Sequence, residues 1–173
     1  MRVSRGIASV CLCACLGLMA QAHGQGPAAK LLRKEPVMTR HAEGTFDVKM
    51  TPLTADEGTT GTSIGRYAID KQFHGDLDGT SKGEMLGSGD PAKGSAGYVA
   101  IEHVTGTLQG HSGSFALQHF GTMDGSGFKL TVGVVPGSGT GELAGIAGTL
   151  NIVIAAGKHS YTFDYTLPAA PAQ

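Results

Sequence analysis

From Glu43 to Leu167 the chain nowhere repeats apolar residues at helical spacing for two full turns. It carries instead short runs that alternate polar and apolar, each closed off by glycine, aspartate or serine. Such runs predict strands near 44–53, 62–75, 80–88, 95–108, 112–123, 127–135, 142–155 and 158–168. Tight turns such as 124–127 (DGSG) and 155–158 (AAGK) join them. Regular short strands with glycine punctuation predict an all-β fold, an antiparallel barrel or sandwich. The 28 glycines signal turns rather than disorder, because 40% of the residues are hydrophobic.

The first 22 residues follow a different rule. Arg2 and Arg5 precede a short apolar run, Ile7 to Met19, and Ala20-Gln21-Ala22 forms a small-x-small cleavage site. This reads as a signal peptide, with export to the periplasm or the exterior. The run is too short to span a membrane as a helix. A poor lipobox, Leu12-Cys13-Ala14-Cys15, leaves lipidation at Cys15 as the alternative. All three cysteines lie in the leader, so the mature chain would have neither disulfide nor thiol chemistry. Residues 23–42 lack a period and read as a flexible spacer. Residues 43–168 read as one barrel-sized domain and 169–173 as a flexible tail. The formal charge is −1 and becomes −3 once Arg2 and Arg5 are removed. With no basic patch interleaved with aromatics, nucleic acid is not expected as a partner.

Alternation assigns faces. In 158–168, His159, Tyr161, Phe163, Tyr165 and Leu167 share the face predicted to point inward. Tyr67, Ile69 and Phe73 do so in 62–75, and Phe128, Leu130, Val132 and Val134 share a face in 127–135. Between the strands at 95–108 and 112–123, Gly110 and His111 fit a type II′ turn, which takes glycine first. That turn sets Glu102 directly across from His119 and Val104 across from Leu117. The inward face would then carry Tyr98, Glu102, Val104, Phe115, Leu117, His119 and Met123. The outward face would carry Ile101, His103, Ala116, Gln118 and Phe120.

A carboxylate in an apolar interior is costly unless paired, and His119 is the partner this register offers Glu102. The pair is either a structural tie or a catalytic or ligand-anchoring dyad. Tyr98, Phe115, Leu117, Met123, His159, Tyr161, Phe163 and Tyr165 are the candidate ligand-binding residues, the last three more readily read as core filling. The histidines have no short metal-ligand spacing, and neither a metal nor a cofactor is expected, although His119, His159 and Glu102 could meet as a two-histidine, one-carboxylate set. The segment 139–144 (GTGELA) matches a dinucleotide fingerprint in letters only. A strand follows it, not a helix whose N-terminus would hold a pyrophosphate, so it reads as a barrel corner. No Ser-His-Asp catalysis is expected: the letters G-x-S-x-G at 61–65 and 79–83 fall in strand patterns, not on the strand-to-helix elbow that exposes a nucleophile.

Three stretches carry a family resemblance: 73–86 (FHGDLDGTSKGEML), 94–123 (GSAGYVAIEHVTGTLQGHSGSFALQHFGTM) and 134–167 (VVPGSGTGELAGIAGTLNIVIAAGKHSYTFDYTL). They resemble the bacterial domain of unknown function 3224 family, itself similar to the allene oxide cyclase and dirigent barrels. The resemblance covers residues 43–168. It implies an eight-stranded antiparallel β-barrel with a central lumen, often oligomeric, and no settled activity. Relatives of this fold close rings or steer coupling of apolar substrates in the lumen, and only Glu102 is a candidate here for the carboxylate role. Three functions stay open: a module that binds a small apolar molecule, a cofactor-free isomerase or cyclase using Glu102 and His119, and a purely structural or oligomeric envelope protein. An outward face bearing Ile101, Ala116 and Phe120 predicts a homo-oligomer. N-terminal sequencing of the exported protein is expected to begin at His23, and an acylated Cys15 would overturn that reading.

Overall fold

The computed structural model describes residues 38–53 and 64–168. The leader, Cys15, residues 23–37 of the expected spacer and the tail at 169–173 lie outside the described residues. Nine strands run in order: β1 (Thr39–Pro52), β2 (Gly65–Gly75), β3 (Leu77–Asp90), β4 (Ser95–Leu108), β5 (His111–Asp124), β6 (Gly127–Val134), β7 (Thr140–Gly141), β8 (Ala147–Ala155) and β9 (Lys158–Thr166). All pairings are antiparallel, in the order β4-β3-β2-β1-β9-β8-β6-β5, and β4 pairs with β5 to close the ring. Eight strands thus form a closed barrel, with the two-residue β7 laid against β5. Closure removes the unpaired edges that would otherwise template aggregation. Among the described residues no helix is long and apolar enough to cross a membrane.

The strands are longer than the hydropathy alternation suggests. β1 begins at Thr39, inside the stretch read as spacer, because Arg40 to Phe46 pair with Tyr165 to His159 of β9 and Ala42 is fully buried. β3 runs from Leu77, where inward glycines at Gly79 and Gly83 hid its period. The segment 142–146 is not strand. Glycines with φ of 75° (Gly137), 59° (Gly141) and 77° (Gly145) turn the chain there. The bonds Leu143 N to Thr140 O (3.0 Å) and Ile146 N to Leu143 O (3.1 Å) hold the corner, and its two apolar side chains, Leu143 and Ile146, are buried as a plug.

The β4–β5 register differs from the expected one. The turn residues are Gln109 and Gly110, both with positive φ (46° and 87°), and Leu108 pairs with His111. This is the type I′ pattern, whose twist suits a hairpin. Gln109 tolerates the left-handed region because its side chain is fully engaged. Its Nε2 donates to His41 O (2.8 Å) and Asp76 Oδ2 (3.2 Å), and its Oε1 accepts from Tyr165 Oη (2.8 Å). Ala100, not Glu102, therefore lies opposite His119, and Glu102 lies opposite Leu117. The offset is two residues, an even number, so no side chain changes face. Inward, Val104, Phe115 and Leu117 are fully buried; outward, Ile101 and Phe120 are 50% and 56% exposed.

The barrel is filled at one end only. Leu77, Leu108, Phe115, Phe163 and Tyr165 close it beneath the Leu143–Ile146 plug, all with no exposed surface or 1% at most. Toward the opposite end, where β1 finishes and β2 starts, the inward positions thin out to Met50, Tyr67, Met85, Gly87 and Gly121, leaving the lumen unfilled.

Candidate functional site: the half-filled lumen and its polar floor

The unfilled half encloses a cavity of about 680 Å³. Its walls are mostly apolar, among them Val48, Ile69, Met85, Met123, Leu130 and Ile152. Tyr98 and Phe128 stack near its mouth with ring centroids 6.4 Å apart. Burial, with the charge of Glu102 added, raises the Tyr98 phenol above its ordinary value, so it remains a hydroxyl at neutral pH. Lys71 and His119 reach the cavity on one side, and His159 reaches it from β9.

Behind those two residues is Glu102, with no exposed surface. Its Oε1 accepts from Lys71 Nζ and from His119 Nε2, each at 2.8 Å, and its Oε2 accepts from Ser81 Oγ at 2.6 Å. Lys71, Ser81, Glu102 and His119 come from β2, β3, β4 and β5, four consecutive strands whose period-two alternation turns all of them inward. The backbones approach closely here. A Cβ on Gly83, which pairs with Glu102, would lie 2.6 Å from Glu102 Cα, so only glycine fits beside the carboxylate. The Lys71 ammonium also lies 4.8 Å from the Phe46 ring centroid and 5.8 Å from that of Phe73, a cation–π setting that helps offset its desolvation.

Burial alone would push the Glu102 carboxyl up. The His119 hydrogen bond and the Lys71 charge outweigh it and hold the group at about 2 against an ordinary 4.5. Glu102 is thus an anion throughout the physiological range and acts there as an acceptor only.

The structure brings Glu102 and His119 together, though diagonally rather than directly across. Tyr98, Met123 and His159 line the cavity. Phe115, Leu117, Tyr161, Phe163 and Tyr165 do not: each is 0–1% exposed and fills the closed end. Tyr161 is structural in a specific way, its Oη accepting from Leu77 N at 2.9 Å. The physical reason for the division is depth along the strand. Alternation tells which side of the sheet a residue faces but not which end of the barrel is plugged. Among the described residues no group of three histidine, cysteine or acidic side chains is arranged to hold a metal ion. Two members of the floor escape a hydropathy reading: Lys71, set between inward Ile69 and Phe73, and Ser81, two residues before Gly83. Strict alternation signals both, if polarity is ignored.

The family model for DUF3224, described as a protein of unknown function, matches residues 42–165. The fold is similar to the crystal structure of a protein with unknown function from the DUF3224 family of Shewanella oneidensis MR-1. That protein is 49% identical, the match covers 76% of this chain and 100% of that one, and the TM-score is 0.70. No curated protein matches the chain.

Replacing Glu102 by Gln leaves the Lys71 charge buried without its counter-ion and is expected to cost about 3 kcal/mol in urea unfolding. Gln118→Ala, next door but outward, is expected to cost within about 0.5 kcal/mol. The acid limb gives the sign. A carboxyl depressed from 4.5 to about 2 stabilises the fold fully above pH 4.5, and that contribution disappears as pH falls toward 2. Wild-type stability is therefore expected to drop by about 3 kcal/mol from this group between those limits, and the drop is expected to be absent in Glu102→Gln. Equal acid sensitivity in the two proteins would show that the carboxylate is not held as described.

Proposed function

The chain belongs to the DUF3224 family, and we propose that it is an exported barrel whose lumen binds a small, largely apolar molecule. The observation that carries this reading is the half-filled interior. A barrel whose only role was structural would gain by packing its whole length, since unfilled apolar space forfeits dispersion contacts. Here one end is packed to zero exposure while about 680 Å³ stays unfilled at the other, a size typical of small-molecule sites, with few polar groups converging on it. Export is supported by the leader-like residues 1–22 and by the confinement of all cysteines to them.

A second reading, cofactor-free isomerisation or ring closure in the same lumen, is supported by one feature. His119 is held by a carboxylate through one ring nitrogen while the residue faces a cavity, the arrangement of an oriented general base. Glu102 itself is a poor base, being fully covered and held near 2. Binding is therefore the favoured function.

Native mass spectrometry of protein purified from its own host is expected to show a co-purifying molecule. The chain has no tryptophan, so Leu130→Trp both narrows the lumen and adds a reporter. It is expected to weaken binding of an uncharged apolar dye such as Nile red at least about tenfold while leaving the fold intact. Unchanged dye binding in Leu130→Trp would place the site elsewhere. Conversion of the extracted molecule to an isomer on incubation with fresh protein would favour the catalytic reading.

Self-association is the remaining part of the proposal. Leu86, Val99 and Phe120 form a cross-strand row on the outer face of β3, β4 and β5, with Ile101 beside it. Each is 45–56% exposed. Contiguous exposed apolar side chains on a closed barrel support an isologous contact between copies. Light scattering is expected to give a dimer or larger for the wild type and a monomer for Phe120→Ser; a monodisperse wild-type monomer at high concentration would remove this element.

A further inference from the structure

The floor of the lumen offers one hydrogen-bond donor and one acceptor, and that combination selects a head group. Glu102 is an acceptor only, so the proton in its contact with His119 is on Nε2. In neutral imidazole the other nitrogen, Nδ1, then presents a bare lone pair. Nδ1 has no hydrogen-bond partner among the described residues. No sealed side-chain nitrogen or oxygen among them lacks a partner either, so Nδ1 is reached from the lumen that His119 lines. Lys71 Nζ lies against the same Glu102 oxygen. It has three N–H groups and gives one to Oε1, leaving donors for the cavity.

We propose that the ligand of this lumen is an apolar molecule anchored by a hydroxyl group, alcohol or phenol, whose oxygen accepts from Lys71 Nζ and whose proton goes to His119 Nδ1. The inference rests on the lumen being a binding site and adds the ligand class to it. Competing head groups fail on elementary counts. An ether or ester oxygen satisfies the lysine but leaves the imidazole lone pair desolvated and unpaired. A carboxylate sets a second negative charge against a lysine already neutralised by Glu102, and directs a lone pair at Nδ1. An ammonium meets the lysine charge. Of these head groups the hydroxyl fills both positions from a single atom and adds no net charge to the floor.

The test uses wild-type protein and four probes of one chain length: 1-octanol, octyl methyl ether, octanoate and octylamine, titrated at neutral pH by displacement of Nile red. Octanol is expected to bind about tenfold more tightly than the ether, the worth of one satisfied hydrogen bond, with octanoate and octylamine weaker than octanol. In ¹⁵N spectra of the side chains, the His119 Nδ1 resonance, distinguished from that of His159 with a His159→Gln variant, is expected to move upfield with octanol and not with the ether. Equal affinity for alcohol and ether, tightest binding by octanoate, or a shift at His159 in place of His119 would overturn the head-group assignment while leaving the lumen a binding site. Failure of all four probes and of Nile red to bind would overturn the binding function itself.

Discussion

Glu102 is an ion with no exposed surface, and four strands are arranged to satisfy it. An uncompensated carboxylate at that depth would cost more than most domains have in net stability. Compensation requires donors from β2, β3 and β5 to arrive within 2.6–2.8 Å of two oxygens on β4. Any slip of one residue in those pairings would turn a donor to the solvent face and leave the charge unpaired. Half of the barrel wall is thereby pinned in register by a single side chain. Hydrophobic replacement of a whole buried ionic cluster is often neutral for stability, but it would not penalise the wrong register in this way.

The polar cluster also marks the boundary between two interiors. Below it, aromatic and aliphatic side chains interdigitate under the Leu143–Ile146 plug, with Phe115, Phe163 and Tyr165 stacked at centroid separations of 5.8 and 5.2 Å. Above it, inward positions fall to glycine at Gly87 and Gly121, and the lumen widens. The closed end supplies stability, and the other end is released from packing. Lys71 and His119 belong to both: their charged or polar atoms are anchored below while they still touch the cavity.

Much of this was legible in the sequence. Period-two alternation placed Glu102 and His119 inside and Gln118 outside. The faces are the same for either turn, because the two hairpin registers differ by an even number of residues. Whether Gly110 opens the turn or closes it depends on Gln109 accepting a left-handed conformation, and that depends on His41, Asp76 and Tyr165, none of them nearby in the chain. Lys71 was overlooked because its charge argues for the surface; only the long-range presence of Glu102 makes its inward position favourable. For a related reason the sequence does not tell Phe115 and Leu117, two candidate ligand contacts, from core filling at the closed end. The plug that fills their end comes from residues 143–146, and a glycine-rich corner does not reveal where it folds back.

The lopsided placement of the floor has a stereochemical consequence. Lys71 and His119 are on the β2–β5 side, whereas Leu130, Ile152 and Phe46 face them from β6, β8 and β1, with His159 of β9 the one imidazole on that wall. A molecule fixed at one end against a polar wall, with a mostly apolar wall opposite, cannot rotate freely about its long axis. The two faces of any planar or prochiral centre within it meet different surroundings. The lumen is in this sense a chiral solvent, able to distinguish mirror-image guests and to bias the handedness of any bond that forms inside it.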